Sequence, residues 1–435
     1  MKKNDFLLIY EHKNRELDNL CLLRAELECR GYNVDILCRF DVLKQLKTLI
    51  APKPKVVGCV AAYRTVSNFV QVYRFTGKVK KIINFRWEQV FADVHVEKFI
   101  PSGEARDVAH LCWGQSAYNQ LKSAGISKLA ITGPLQMDFL IPPMNSIYLS
   151  QDDIKAKYGI PKEGKVLLYI SSFAYATMTD TELEYNEKWL GQSLDEAVKS
   201  EKKSFDYTIN CLKKLTEDDP TMYVIYRPHP AENSEVIKGL DTPERFIINS
   251  DYSVKQWIFA ADYIVTWIST SLCEVYYAHK KAVILRPYPV NPISDPVVYK
   301  NCRSVSSYEE LKHELFSDVP FPLDEKLIND YYNVIEDKPA YIRTADFFVE
   351  VLNNDAYNIN DKRRYVYRII KNALCDICIL FMSKNKYLAK LVNYWPFNTM
   401  KTAFNEHMHF SPTNIVSDKE IENRVCEFKN IIKAN

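Results

Sequence analysis

Two short runs in the second half of the chain carry groups suited to holding a phosphorylated ligand. Arg227-Pro228-His229-Pro230 follows the apolar run YVIY. Its two prolines fix a rigid turn that presents a cation and an imidazole beyond the expected strand. Further on, Ile268-Ser269-Thr270-Ser271 follows DYIVTW and opens the helical pattern SLCEVYYAHK. Hydroxyl donors and unbonded main-chain N–H groups at a helix start favour an anion. Each run has a plainer reading, a solvated turn for Arg227 and an ordinary N-cap cluster for the serines. Their pairing is more specific than either, because a basic turn and a hydroxylated helix start on neighbouring strands of one sheet could clamp a nucleotide mono- or diphosphate.

Other ways of holding a nucleotide are missing. The chain has 11 glycines, none after Gly239, and neither a G-x-G-x-x-G fingerprint nor a Walker A sequence, which disfavours dinucleotide dehydrogenases and P-loop ATPases. No metal is expected: the acidic pairs Asp152-Asp153 and Asp218-Asp219 sit in polar helical or loop context, and no His or Cys cluster has ligand spacing. Most of the 11 cysteines lie in apolar segments, where a thiol is a small hydrophobe. Cys375 and Cys378 form a C-x-x-C within an apolar helical pattern with no second pair.

The elements that must position these groups alternate period-two and period-3.6 patterns along most of the 435 residues. That length exceeds one ordinary core and predicts two main domains plus an appendage. DFLLIY, NVDILC, KVVGCVAAY, KIINF, AHLCWG and KLAITG belong to a first Rossmann-like unit of about five strands over 1–145. Residues 146–163 read as a linker with one short helix. KVLLYISSF, YVIYRPHP, RFIIN, DYIVTWIST and AVILRPYP build a second doubly wound sheet over 164–340, and 341–435 reads as a helical extension. The formal net charge of +2 gives no field to concentrate a polyanion, so nucleic acid is not an expected partner. The start has only a short apolar run, too short for a secretory h-region, and the chain is expected in the cytoplasm.

At the level of motif order, RPHP followed by D-Y-I-V-T-W-I-S-T-S-x-x-x-E resembles the HP and Ser/Thr motifs of bacterial GT-B enzymes that use cytidine-activated donors: sialyltransferases, Kdo transferases and CDP-glycerol transferases. Arg15-Glu16-Leu17-Asp18, Trp87-Glu88-Gln89, Trp113-Gly114, Thr132-Gly133-Pro134 with Asp138, and Ser171-Ser172-Phe173 are similar to features of surface-carbohydrate biosynthesis proteins. The resemblance implies an α/β GT-B fold, two Rossmann-like domains facing across a cleft, and a metal-independent glycosyltransferase. Its donor is a nucleotide-sugar, a CMP-sugar first, and its acceptor a surface polysaccharide or lipid-linked glycan; the nucleotide-sugar is substrate, and no cofactor is implied. His229 would bind the donor phosphate or cytidine with support from Arg227, while Ser269, Thr270 and Ser271 take the phosphate and Glu274 faces the ribose or base. Ser171 and Ser172 would join the donor side, and Arg15, Glu16, Trp87 and Gln89 the acceptor side or cleft.

Glycosyl transfer needs a carboxylate to deprotonate the acceptor or attack the anomeric carbon. Glu88 and Asp138, both in loops after strands of the first domain, are the candidates, with Trp87 expected to desolvate Glu88; His95 is a rival base. Residues 362–401 hold nine basic residues against one acid, Asp376, among apolar runs. They read either as a membrane-surface segment at the inner face of the plasma membrane or as an appendage packed on the domains. The same motifs also admit a CDP-glycerol-type polyol-phosphate transferase, a UDP-GlcNAc 2-epimerase-like enzyme, or a non-catalytic subunit of a polysaccharide assembly complex.

Overall fold

A computed structural model describes residues 4–60, 62, 79, 81–359, 365–384, 392 and 398–434. The chain divides into two compact units, one of Met1–Gln89, Phe99–Asp138 and Tyr332–Asn435, the other of Val90–Lys98 and Phe139–Tyr331. Each is a Rossmann-like lobe, and together with the C-terminal helices they give the two-domain architecture of GT-B proteins.

The first unit holds β1 (Phe6–Tyr10), β2 (Val34–Cys38), β3 (Val56–Cys59), β4 (Lys81–Asn84), β5 (Ala109–Cys112) and β6 (Leu129–Ile131), all parallel in the order β2-β1-β3-β4-β5-β6. The described residues thus form six strands where about five were expected. All five residues of β1 are buried, which is why it reads as an unbroken apolar run: a parallel strand is covered on both faces. After the helix Asp18–Cys29, Gly31 adopts φ +90°, a left-handed turn suited to glycine, and delivers the chain to β2.

The C-terminal segment returns to this unit. In the helix Ala340–Asn353, Phe348 stacks on Phe85 at 5.6 Å and meets Phe6 edge-on. The helix Asp418–Ala434 lies along Asp18–Cys29, joined by Arg24–Glu422 (2.7 Å), Lys429–Glu28 (2.5 Å) and Arg424–Asp18 ion pairs. Of the basic stretch 362–401, residues 362–364, 385–391 and 393–397 lie outside the described residues. Among the described residues, no helix is long and apolar enough to cross a membrane.

The second unit holds β7 (Lys165–Ile170), β8 (Met222–Arg227), β9 (Phe246–Ile248), β10 (Tyr263–Thr266) and β11 (Val283–Ile284), parallel in the order β11-β10-β7-β8-β9. Its core includes Leu167, Tyr169, Phe173 and Trp267, the last two stacked at 4.8 Å. The 24-residue helix Asp195–Asp218 contributes Phe205, Ile209 and Leu212 to the same core. The order corrects one expectation. The strands that lead into RPHP and into the serine-rich run are not neighbours: β8 and β10 both pair with β7, which lies between them. The chain leaves β7 toward β8 on one side and later returns to β10 on the other. Such a reversal is where open α/β sheets bind ligands, beyond the carboxyl ends of the strands.

Candidate functional site

Three loops of the second unit leave the carboxyl ends of adjacent strands. In sheet order they are the run after β10, Ser171-Ser172 after β7, and the RPHP turn after β8. Within the RPHP turn, His229 is exposed, and its Nδ1 accepts from the Ala231 N–H at 3.1 Å. An accepting Nδ1 puts the proton of a neutral imidazole on Nε2, making that nitrogen a donor. Arg227 is committed differently from expectation. Its guanidinium donates to the carbonyls of Asn249 (3.3 Å), Asp251 (3.1 Å) and Tyr252 (2.6 Å), bracing the loop after β9.

Glu232, not singled out from the sequence, joins the RPHP turn to the end of β7. One carboxyl oxygen accepts from Ser171 Oγ (2.5 Å) and the Phe173 N–H (2.9 Å), and the other meets the Tyr226 hydroxyl (3.0 Å). Ser171 Oγ and Tyr226 OH are themselves 2.7 Å apart. Three mutual oxygen contacts need three protons, and the two hydroxyls supply only two. The ring closes when the carboxyl carries the third, in keeping with burial pushing the Glu232 pKa above the ordinary range. Ser171 is therefore turned inward as part of this clamp. Ser172 differs, since its Oγ has no hydrogen-bond partner among the described residues.

After β10, the helix runs only from Leu272 to Tyr277, six residues, so its dipole is smaller than the pattern SLCEVYYAHK suggested. The hydroxyl groups remain. Ser269 is buried, with its Oγ accepting from the Ser271 N–H at 3.3 Å and its carbonyl held by Tyr299 OH at 2.7 Å; Thr270 and Ser271 are half-buried. Glu274 is not a solvated surface carboxylate. One oxygen is paired with Lys255 at 2.9 Å, and the other is buried without a hydrogen-bond partner among the described residues. A buried oxygen in that state suits a ligand hydroxyl.

In the first unit, the structure brings together three of the residues singled out. Arg15 lies after β1 and Glu88 after β4, and the two form an ion pair. Arg15 also bonds Glu16 at 2.7 Å. Glu16 is fully buried, and its other oxygen accepts from the N–H groups of Glu11 (2.7 Å) and His12 (3.3 Å), pinning the loop that leaves β1. The side chain of Glu88 is 55 % exposed, so the desolvation expected from Trp87 is absent. His12, missed in the sequence, interacts electrostatically with both Arg15 and Glu88. Burial, and then the charge of Arg15, hold its pKa below the ordinary imidazole value, which favours the neutral ring.

The remaining first-unit candidates serve the fold. Asp138 is buried, and its two oxygens accept from the Ala340 (2.8 Å) and Tyr341 (2.7 Å) N–H groups at the start of Ala340–Asn353. It caps that helix. Burial pushes its pKa up to about 7. Trp87 is buried and stacked on Phe85 at 4.8 Å. Gln89 links the loop after β4 to β5: it accepts from the Trp113 N–H (2.9 Å) and donates to the Arg86 and Leu111 carbonyls (both 3.0 Å). His95 belongs to the second unit, with Nε2 3.2 Å from the Ile293 carbonyl. Among the described residues, no group of three or more His, Cys, Asp or Glu side chains could hold a metal ion.

No protein-family model matches the chain, and no curated protein matches it in sequence. Solved structures do match in fold. A UDP-N-acetylglucosamine 2-epimerase aligns with TM-score 0.50 and 11% identity over 83% of this chain and 99% of its own. The UDP-GlcNAc 2-epimerase of Methanocaldococcus jannaschii, in complex with UDP-GlcNAc and UDP, aligns with TM-score 0.49 and 12% identity over 79% and 99%. The wall teichoic acid polymerase TagF aligns with TM-score 0.47 and 12% identity over 80% and 88%. At these identities the likeness is one of fold.

Proposed function

We propose that the chain is a metal-independent enzyme acting on a nucleotide-activated sugar or polyol, with the nucleotide held by the second unit and proton transfer supplied by the first. The observation that carries this reading is the sheet order β10-β7-β8. It sets the serine-rich run, Ser172 and the His229 turn side by side at one carboxyl edge, beside a switch point. In this reading, His229 Nε2–H and the hydroxyls of Ser172, Thr270 and Ser271 donate to phosphate oxygens. The partnerless oxygen of Glu274 accepts from a ribose hydroxyl. Departure of the nucleotide develops negative charge on its phosphate, and donors already fixed there stabilise that charge more than they stabilise the ground state. Glu88 takes the proton of the attacking hydroxyl.

Within this class, the motifs point to transfer from a cytidine-activated donor to a surface or lipid-linked glycan. Polyol-phosphate transfer from a CDP-glycerol-like donor uses the same nucleotide contacts. The fold likeness to a UDP-N-acetylglucosamine 2-epimerase brings forward a second reading, isomerisation of the nucleotide-sugar itself. Incubation of the full chain with a CMP-sugar, CDP-glycerol or UDP-GlcNAc, each with and without a glycan acceptor, separates them by product analysis. Acceptor-dependent nucleotide release means transfer; an isomerised nucleotide-sugar without acceptor means epimerisation. Absence of turnover, together with absence of nucleotide binding, contradicts the proposal.

A further inference from the structure

We propose that Glu232 and Glu201 are positioning residues for nucleotide binding, which act by fixing the loop that carries Ser172. The inference rests on the reading in which the Ser172 hydroxyl donates to a phosphate oxygen. Ser172 Oγ is buried without a hydrogen-bond partner among the described residues, while the residues on either side of it are tied down. On one side, a single oxygen of Glu232 accepts from Ser171 Oγ (2.5 Å) and from the Phe173 N–H (2.9 Å), groups of the two residues that flank Ser172. On the other, Glu201 of the helix Asp195–Asp218 accepts from the Tyr175 (2.7 Å) and Ala176 (3.2 Å) N–H groups. Thr177 Oγ1 then accepts from the Asn233 N–H at 3.0 Å and returns the loop to the residue after Glu232. Two buried carboxyls thus order the chain around Ser172, and a donor ordered in advance loses little conformational entropy when it meets a phosphate.

Protons decide how firmly the loop is held. Burial, with the nearby charge of Glu232 adding to it, pushes the Glu201 pKa up to about 8, and burial raises Glu232 as well. The other titratable groups against the pair are the phenols of Tyr169 on β7, Tyr226 on β8 and Tyr175 in the loop, all raised by burial, and the exposed imidazole of His229 in the turn that Glu232 ends. Those phenols keep their protons well past neutrality, so the carboxyl of Glu232 is the member of its ring that changes charge. Its contacts with Ser171 and Tyr226, which are 2.7 Å from each other, take three protons. Ionised Glu232 leaves two protons for three contacts, and the ring that pins the residue before Ser172 opens. Nucleotide affinity is therefore linked to protonation, full while the carboxyl is protonated and lower as pH rises through its folded value.

The test is calorimetric titration of the full chain with CMP, CDP and UDP from about pH 5 to about pH 9, in wild type, Glu232→Gln, Ser172→Ala and the double variant. Glu232→Gln keeps the ring without an ionisable group. The ratio of wild-type to Glu232→Gln affinity, in which the nucleotide's own titration cancels, should be near one at acid pH and fall by about tenfold or more toward the alkaline end. In the Ser172→Ala background the same ratio should stay near one throughout, because the group through which Glu232 acts is gone. Glu201→Ala should weaken binding by about fivefold or more at neutral pH, and Glu201→Gln should restore it. A ratio that stays flat with Ser172 present, one that falls equally without it, or a Glu201→Ala protein that binds like wild type overturns the inference and leaves the nucleotide reading standing. Wild type that binds none of the three nucleotides at any pH overturns the nucleotide reading, and this inference with it.

Discussion

Replacing Glu232 tests whether the clamp between the RPHP turn and the end of β7 is neutral. The three groups it holds, Ser171 Oγ, Tyr226 OH and the Phe173 N–H, are all buried. Glu232→Ala leaves three groups without this partner. At about 1–3 kcal/mol for each buried group left unsatisfied, and with Ser171 and Tyr226 still able to bond each other, the loss should be about 3–5 kcal/mol. Glu232→Gln behaves differently if the carboxyl is protonated. The amide oxygen accepts from Ser171 and Phe173 while the NH2 donates to Tyr226, reproducing the ring, so the variant should lie within about 1 kcal/mol of wild type at acid pH, below the unfolded carboxyl value. The linkage sign follows from the raised pKa: the carboxyl's contribution is full below its unfolded value and is lost as pH rises through the folded one. The Gln variant should therefore gain on wild type as pH increases. Urea unfolding of all three proteins across pH measures this. If Glu232→Gln loses as much as Glu232→Ala even at acid pH, below the unfolded carboxyl value, the proton count is refuted.

Glu201, whose pKa burial pushes up to about 8, accepts from the N–H groups of Tyr175 (2.7 Å) and Ala176 (3.2 Å). Its contribution is complete below about pH 4.5 and gone above about pH 8, so wild-type stability should decline across that window and Glu201→Gln should flatten the decline in pH-dependent unfolding. Asp138→Ala should destabilise the chain by about 1–3 kcal/mol through loss of the cap on Ala340–Asn353 while leaving nucleotide affinity unchanged, measured by unfolding and titration calorimetry. A fall in turnover beyond the loss of folded protein would return Asp138 to the chemistry. Arg15 and Glu88 are solvent-exposed enough that a double-mutant cycle should give a coupling below about 1 kcal/mol. Glu88→Gln should nevertheless reduce kcat with little change in Tm if Glu88 is the base.

Strands were legible because burial on both faces writes them as apolar runs: FLLIY for β1 and KVLLYI for β7 are buried nearly throughout. Strand order was not. That β7 separates β8 from β10 depends on which side of the sheet each crossover takes, a tertiary choice that hydrophobic period does not encode. The same limit separates the candidates that meet from those that do not. Arg15, Glu16 and Glu88 converge, since loops at strand carboxyl ends project together. Asp138 occupies such a loop too, yet it caps a helix beginning 202 residues later, a partner no local pattern reveals. Ser171 and Arg227 flank ligand-suited groups but turn toward Glu232 and the β9 loop. Glu232 follows His229 by three residues in H-P-A-E, which was the available signal; His12 had none beyond its place after β1.

Calorimetric titration of the full chain with CMP, CDP, UDP and GDP, repeated with His229→Ala and Glu274→Gln, bears most directly on the nucleotide reading. The account predicts saturable one-to-one binding of at least one pyrimidine nucleotide, weakened about tenfold or more by each substitution without loss of fold, since each removes a hydrogen bond to a charged or buried partner. No heat from any nucleotide, or affinities indifferent to both substitutions, would contradict it.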